Sequence, residues 1–171
     1  RLPDADIIAF DIENKVTRLK PRPQKVGRLK SLRLSSCQLA FRRRAVLEKG
    51  IRFDVLMGAG SGNGCGEENK FLLDCLRAGL RIYYVPIQIA ALDTKASTWF
   101  AGFDALFFYQ RGAATRYMLG LWTAAAYGIY YIIAKRNLYR STISSREALR
   151  ALVMGMRDNR IYRQKCKGKH D

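Results

Sequence analysis

Two adjacent carboxylates, Glu67 and Glu68, stand at the end of a run of alternating glycines in "GAGSGNGCGEENKFLLDCLRAGLRIYYVP", Gly58 to Pro86. A carboxylate at such a place can take a proton from a hydroxyl or complement the dipole of the helix it opens. A glycosidase pair would have to face each other across a scissile bond, about 5 Å apart or more. Consecutive helical residues diverge by about 100° around the axis, so these two do not flank a substrate. The spacing permits one carboxylate facing a cleft and the other turned to solvent or to a cap. The plainer alternative is that both only serve the dipole. Phosphate binding by the loop is disfavoured, because Gly58, Gly60, Gly62, Gly64 and Gly66 never satisfy G-x-G-x-x-G and no Gly-Lys-Ser/Thr follows. The two glutamates would also compete with a phosphate for the helix N-terminus.

The elements that must position these residues are legible as patterns. A helix over 67–78 places Phe71, Leu72, Cys75 and Leu76 on one face, pairs Lys70 with Asp74 on another and stops at Gly79. "LRIYYVP" reads as a strand ended by Pro86. Upstream, 5–13 reads as a strand, 14–33 with Pro21, Pro23 and Gly27 as a long loop, and 35–41 as a strand leading into a short helix that Gly50 ends. From Ser97, a plausible cap, the chain turns helical, with Trp99, Phe100, Phe103, Leu106, Phe107 and Phe108 in the first segment. The segment from Tyr117 to Ala134 has no charge and is followed by Lys135 and Arg136; a membrane-surface or re-entrant helix, a spanning helix and a core helix all remain open for it. A capping box, Ser144 to Glu147, opens a last helix with Ala148, Leu149, Leu152, Val153 and Met156 on one face.

With 171 residues, 49% of them hydrophobic, the chain can build a sizeable core; its net charge of +17 calls for an anionic partner. No Asp or Glu lies between Glu13 and Glu48, while Lys15, Arg18, Lys20, Arg22, Lys25, Arg28, Lys30, Arg33 and Arg42 to Arg44 do. No pattern of an RNA-binding, helix-turn-helix or zinc-finger module appears, and the aromatics sit in apolar helical runs instead of among the basic residues, which argues against nucleic acid. Four scattered cysteines and the lone His170 make a zinc site unexpected and point to free thiols in a reducing compartment. Asp4 and Asp6 have DxD spacing but precede a strand, whereas metal-binding DxD pairs usually follow one. Beginning at Arg1, and running almost at once into an apolar strand, the sequence reads as a fragment of a larger protein.

"GCGEENKFLLDCLRAGLRIYYVP" resembles the G-E-D and F-L-x-D-C-L-x-x-G-L-x-I-x-Y-x-P block of bacterial family 2 glycosyltransferases of the GT-A fold, of the capsule and surface-polysaccharide type. "SSCQLAFRRRAVLEKGIRFD" is similar to the strand, Arg-containing turn and F-D/E that precede that block, and "STWFAGF" with "FFYQRGA" to the segment after it. The resemblance implies an α/β fold: the C-terminal, acceptor-side portion of a GT-A domain with a mixed sheet over 1–96, lacking the nucleotide-binding half, followed by helices over 97–171 that associate with membrane. It implies an inverting transfer from a nucleotide sugar to a saccharide or lipid-linked saccharide, with the catalytic base at Glu68. Glu stands where Asp is usual, so Glu67 remains a candidate beside it. Substrate contacts are implied at Gly64, Gly66, Arg42 and Trp99. A divalent metal, Mg or Mn, is implied for the full-length enzyme with its main ligands outside this chain; where many such enzymes have a further histidine ligand, only Asp93 is near. The fragment alone is then expected to be inactive. Together with the charge, the resemblance implies an anionic membrane partner and a place at the cytoplasmic face of the bacterial inner membrane, peripheral or shallowly inserted. The alternative is a non-catalytic basic module that binds nucleic acid or anionic membrane.

Overall fold

A computed structural model of the chain describes residues 4–13, 19–58, 60–91 and 102–167. It is an α/β protein with a four-stranded mixed sheet and a helical C-terminal half, in two compact units: residues 1–54 with 67–97, and residues 55–66 with 98–171.

The first unit holds the sheet, in the order β2–β4–β1–β3, with β1 at Ile7–Glu13, β2 at Gln24–Lys25, β3 at Leu39–Phe41 and β4 at Ile82–Ala91. β1 runs parallel to β4, while β3 and β2 pair antiparallel on either side. A parallel neighbour needs a crossover. Part of it is the helix Glu67–Arg77, whose Phe71, Leu72 and Cys75 are buried in one cluster with Ile7, Ala9, Ile82 and Tyr84 of the two central strands. Leu73 is buried as well. Gly79, at φ +84°, closes the helix, and the Lys70–Asp74 ion pair forms as its spacing predicts.

Three local expectations are corrected here. Pro86 does not end its strand, which continues to Ala91. Ala9 pairs with Tyr84 and Asp11 with Gln88, so β4 advances four residues while β1 advances two. Pro86, which has no N–H to give, lies in the part that the ladder skips. The 14–33 loop, in its described part, contains β2 and the short helix α1, Arg28–Ser31. Val26 donates its N–H to Ile82 O at 2.8 Å and is fully buried, so pairing with β4 orders this stretch without any periodic pattern. The expected strand 35–41 is a strand only from Leu39, after a 3-10 turn at Ser36–Gln38. Ser35 donates its N–H and its hydroxyl to Gln38 Oε1, both at 3.2 Å, and buried Gln38 donates to Phe10 O at 2.9 Å. Such local side-chain bonds compete with a ladder. The next helix, α2 at Arg43–Glu48, ends before Gly50 at φ +64°, as its sequence predicts. The helix at Glu67–Arg77 is α3.

The second unit is built from α4 (Ala105–Leu119), α5 (Leu121–Ala134), α6 (Arg136–Tyr139), α7 (Ser145–Asp158) and α8 (Arg160–Lys167). Asp104 caps α4 by accepting from Phe107 N at 2.7 Å, and Gly102 to Asp104 are not helical. The cap of α4 therefore lies seven residues after the expected one, Ser97, which is outside the described residues. Gly120, at φ +79°, separates α4 from α5 and divides the uncharged segment that begins at Tyr117. The 14 residues of α5 measure about 21 Å, short of a hydrocarbon core of about 30 Å. Among the described residues no helix is long and apolar enough to cross a membrane.

α4 and α7 approach backbone to backbone. A Cβ on Gly112 would lie 2.1 Å from Leu152 O, and one on Gly155 would lie 2.0 Å from Tyr109 O. The capping box forms: Ser144 Oγ accepts from Glu147 N at 3.2 Å, and Glu147 Oε2 accepts from Ser144 N at 3.4 Å. α7 buries Ala148, Leu152, Gly155 and Met156, but Leu149, expected on the same face, is exposed. Phe108, Tyr131 and Tyr139 form the aromatic centre of this unit, with Phe108 and Tyr139 rings 5.0 Å apart, and Tyr139 donates its hydroxyl to Ile132 O at 2.6 Å.

Candidate functional site

Glu67 and Glu68 open α3, and both are partly buried. Two attachments hold the turn that carries them. Asn69 Nδ2 donates to Ser31 O and to Leu34 O, each at 3.1 Å, tying the first turn to the end of α1. Phe71, i+4 from Glu67 and i+3 from Glu68, is buried between two rings: Phe53 stacks on it at 4.3 Å with planes 3° apart, and Phe41 tilts against it at 5.6 Å. Residues three and four apart share a helix face. Phe41 and Phe53 are each 43% exposed, so they carry apolar ring surface at the end of β3 and in the segment after α2. Such surface can stack on the C–H face of a sugar ring.

Fixing a carboxylate in a first turn serves proton transfer, which depends on alignment. It serves the helix dipole equally. Lys70, Asp74 and Arg77 form a charged row along α3 that starts three residues after Glu67, with Arg77 Nη1 2.9 Å from Asp74 Oδ1. Cys75 contributes neither a thiolate nucleophile nor a thiolate ligand: burial above all, then the charges of Asp74 and Asp6, pushes its pKa up to about 12.

Arg42 follows β3 and is the N-cap residue of α2, its N–H donating to Asp6 O at 2.9 Å and its side chain exposed. It belongs to the first unit with the two glutamates.

Gly64 and Gly66 belong to the second unit, in the loop 55–66. Gly58 N donates to Asn63 O at 3.2 Å and Cys65 N to the same oxygen at 2.7 Å. Buried Asn63 sends its amide to Leu56 O at 2.8 Å and to Gln164 Oε1 of α8 at 2.9 Å. Gly58, Gly60, Gly62 and Gly66 have φ between +77° and +95°, which explains the alternating glycines by backbone conformation. At Gly66 the space is tight as well, since a Cβ would stand 3.2 Å from Met57 Cε and 3.3 Å from Met118 Cε and both methyls would have to give way slightly. Gly64 has no positive φ and is exposed, and its Cβ would meet only Gln110 Oε1, at 3.0 Å, the far end of a flexible side chain.

Trp99 and Asp93 lie outside the described residues. Among the described residues no three His, Cys, Asp or Glu side chains come together to hold a metal ion.

The anchors Asn63 and Asn69 escape a sequence reading because a buried amide looks like any loop or helix asparagine until its acceptors are known. Phe53 has a faint signal, the aromatic in "IRFD". Arg111 has half of one: its guanidinium lies 4.8 Å from the ring centre of Phe107, four residues back on the same helix, a spacing the sequence shows, and 4.3 Å from that of Tyr131 on α5, which the sequence does not.

Compared with known proteins, the chain matches no family model, no curated sequence and no solved structure.

Proposed function

We propose that this chain is the acceptor-side part of an inverting glycosyltransferase that moves a sugar from a nucleotide sugar to a hydroxyl of a saccharide or lipid-linked saccharide in cell-surface polysaccharide synthesis. The observation that carries the reading is the pair Glu67 and Glu68 at the start of a helix fixed by Asn69 and Phe71. It is supported by the resemblance of residues 66–86 to the glycosyltransferase block and by an α/β unit in which that helix precedes a strand parallel to β1. Glu68 accepts the proton of the acceptor hydroxyl while that oxygen bonds to the anomeric carbon; the bond to the nucleoside diphosphate breaks on the opposite face, and the configuration inverts. Phe41 and Phe53 offer ring surface for the acceptor sugar, and exposed Arg42 a cation for a phosphate-bearing one.

The test is transfer by the full-length protein against a panel of nucleotide sugars, with Glu68→Gln and Glu67→Gln compared. Loss on Glu68→Gln supports the assignment. Loss on Glu67→Gln alone moves the base by one residue. Full activity in both removes the main support for the enzyme reading and leaves the basic-module alternative, which the net charge of +17 favours.

A further inference from the structure

α5 is apolar on both faces, and only one of them is covered. Ala124, Gly128, Tyr131 and Ile132 are buried within the helical unit. Opposite them, Trp122 is 84%, Ile129 56%, Tyr130 49% and Ile133 72% exposed. These four recur at i, i+7, i+8 and i+11, which places them along one side of the helix. From Leu121 to Ala134 no charged side chain interrupts that side. A contiguous apolar helix face left on water marks an interaction surface.

The charges around it select the occupant. Lys135, Arg136 and Arg140 follow directly, the two arginines exposed, and no Asp or Glu occurs between Asp104 and Glu147. An apolar strip followed along the chain by cations alone complements an assembly that is apolar below and anionic above. Trp122 and Tyr130 are the aromatic types that settle at headgroup depth. We infer that the outer face of α5 lies flat on an anionic phospholipid bilayer, with Trp122, Ile129, Tyr130 and Ile133 inserted to the headgroup–acyl boundary and Lys135, Arg136 and Arg140 on the headgroup phosphates. This surface is independent of the transferase reading.

The test uses the full chain carrying Trp99→Phe, which leaves Trp122 as the sole tryptophan. On vesicles of phosphatidylcholine with phosphatidylglycerol, Trp122 emission shifts to the blue and is quenched by brominated acyl chains; on phosphatidylcholine alone the shift is much weaker. Ile133→Asp, at a position exposed enough to leave folding intact by circular dichroism, lowers vesicle affinity by at least about tenfold. Raised salt weakens binding without abolishing it. The inference is overturned if Trp122 emission does not change while the protein sediments with anionic vesicles. It is overturned equally if Ile133→Asp binds with unchanged affinity, or if the protein is a dimer in solution that Ile133→Asp separates, which would give the face to a second copy. Should Ile133→Asp misfold, the Trp122 emission and quenching decide alone.

Discussion

A carboxylate in the first turn of α3 can serve a substrate or the helix, and single substitutions separate the two uses. In the full-length protein Glu68→Gln keeps shape and removes the base, so turnover should fall by roughly 10² to 10⁴ with donor affinity little changed, as steady-state kinetics would show. Glu67→Gln should cost far less, about 0.3 to 1 kcal/mol of dipole interaction seen in denaturant unfolding. Cys75 supplies a pH signature. Its thiol titrates ordinarily at 9.0 and in the folded chain near 12, so between those values the unfolded chain has lost a proton that the folded chain keeps. That contribution to stability is fully present below pH 9 and is lost as pH rises toward 12. Urea midpoints taken across that range should fall, and Cys75→Ala should flatten the fall while lowering stability throughout.

At the scale of elements, the α4–α7 contact depends on two positions where only hydrogen fits. Gly155→Ala would place a methyl 2.0 Å from Tyr109 O, and Gly112→Ala one 2.1 Å from Leu152 O. Either change should force the helices apart and destabilise the helical unit by about 1–3 kcal/mol or more, measured by chemical denaturation. The glycine loop depends on an amide instead. Asn63→Ala removes the hydrogen bonds that Asn63 gives to Leu56 O and Gln164 Oε1 and should cost about 1–3 kcal/mol. Gly64→Ala, which needs only Gln110 to move, should be nearly neutral for folding. A loop whose glycines served acceptor access alone would not separate Asn63 and Gly66 from Gly64 in this way.

Across the whole molecule, each unit closes its own core: Phe71, Leu72 and Tyr84 belong to one cluster, Phe108, Leu152 and Tyr139 to the other. Leu72→Ala and Leu152→Ala should each cost about 2–5 kcal/mol. Under native conditions, amide hydrogen exchange should quicken chiefly in the unit that carries the substitution. Uniform quickening by either change would mean that the two cores unfold as one.

Periodicity and caps determined a good part of this architecture without coordinates. The α3 face, the Lys70–Asp74 pair, Gly50 and Gly79 as stops, the Ser144–Glu147 capping box and strand β1 are local patterns, enforced by bonds and contacts within a few residues. The presence of two carboxylates at a helix start is local too, and so was legible. Tertiary structure decided what depends on residues remote in the chain. β2 exists because Ile82 O accepts from Val26, Pro86 stays in its strand because the ladder skips it, and α4 is capped by Asp104 instead of Ser97. The same holds for the site: Asn69 reaches back 38 and 35 residues to its two acceptors, and Asn63 forward 101 to Gln164. Which face of α5 is covered follows from Leu152 and Met156 of α7 meeting Gly128. A hydrophobic pattern equal on both sides of a helix contains no information about which side its neighbours will take.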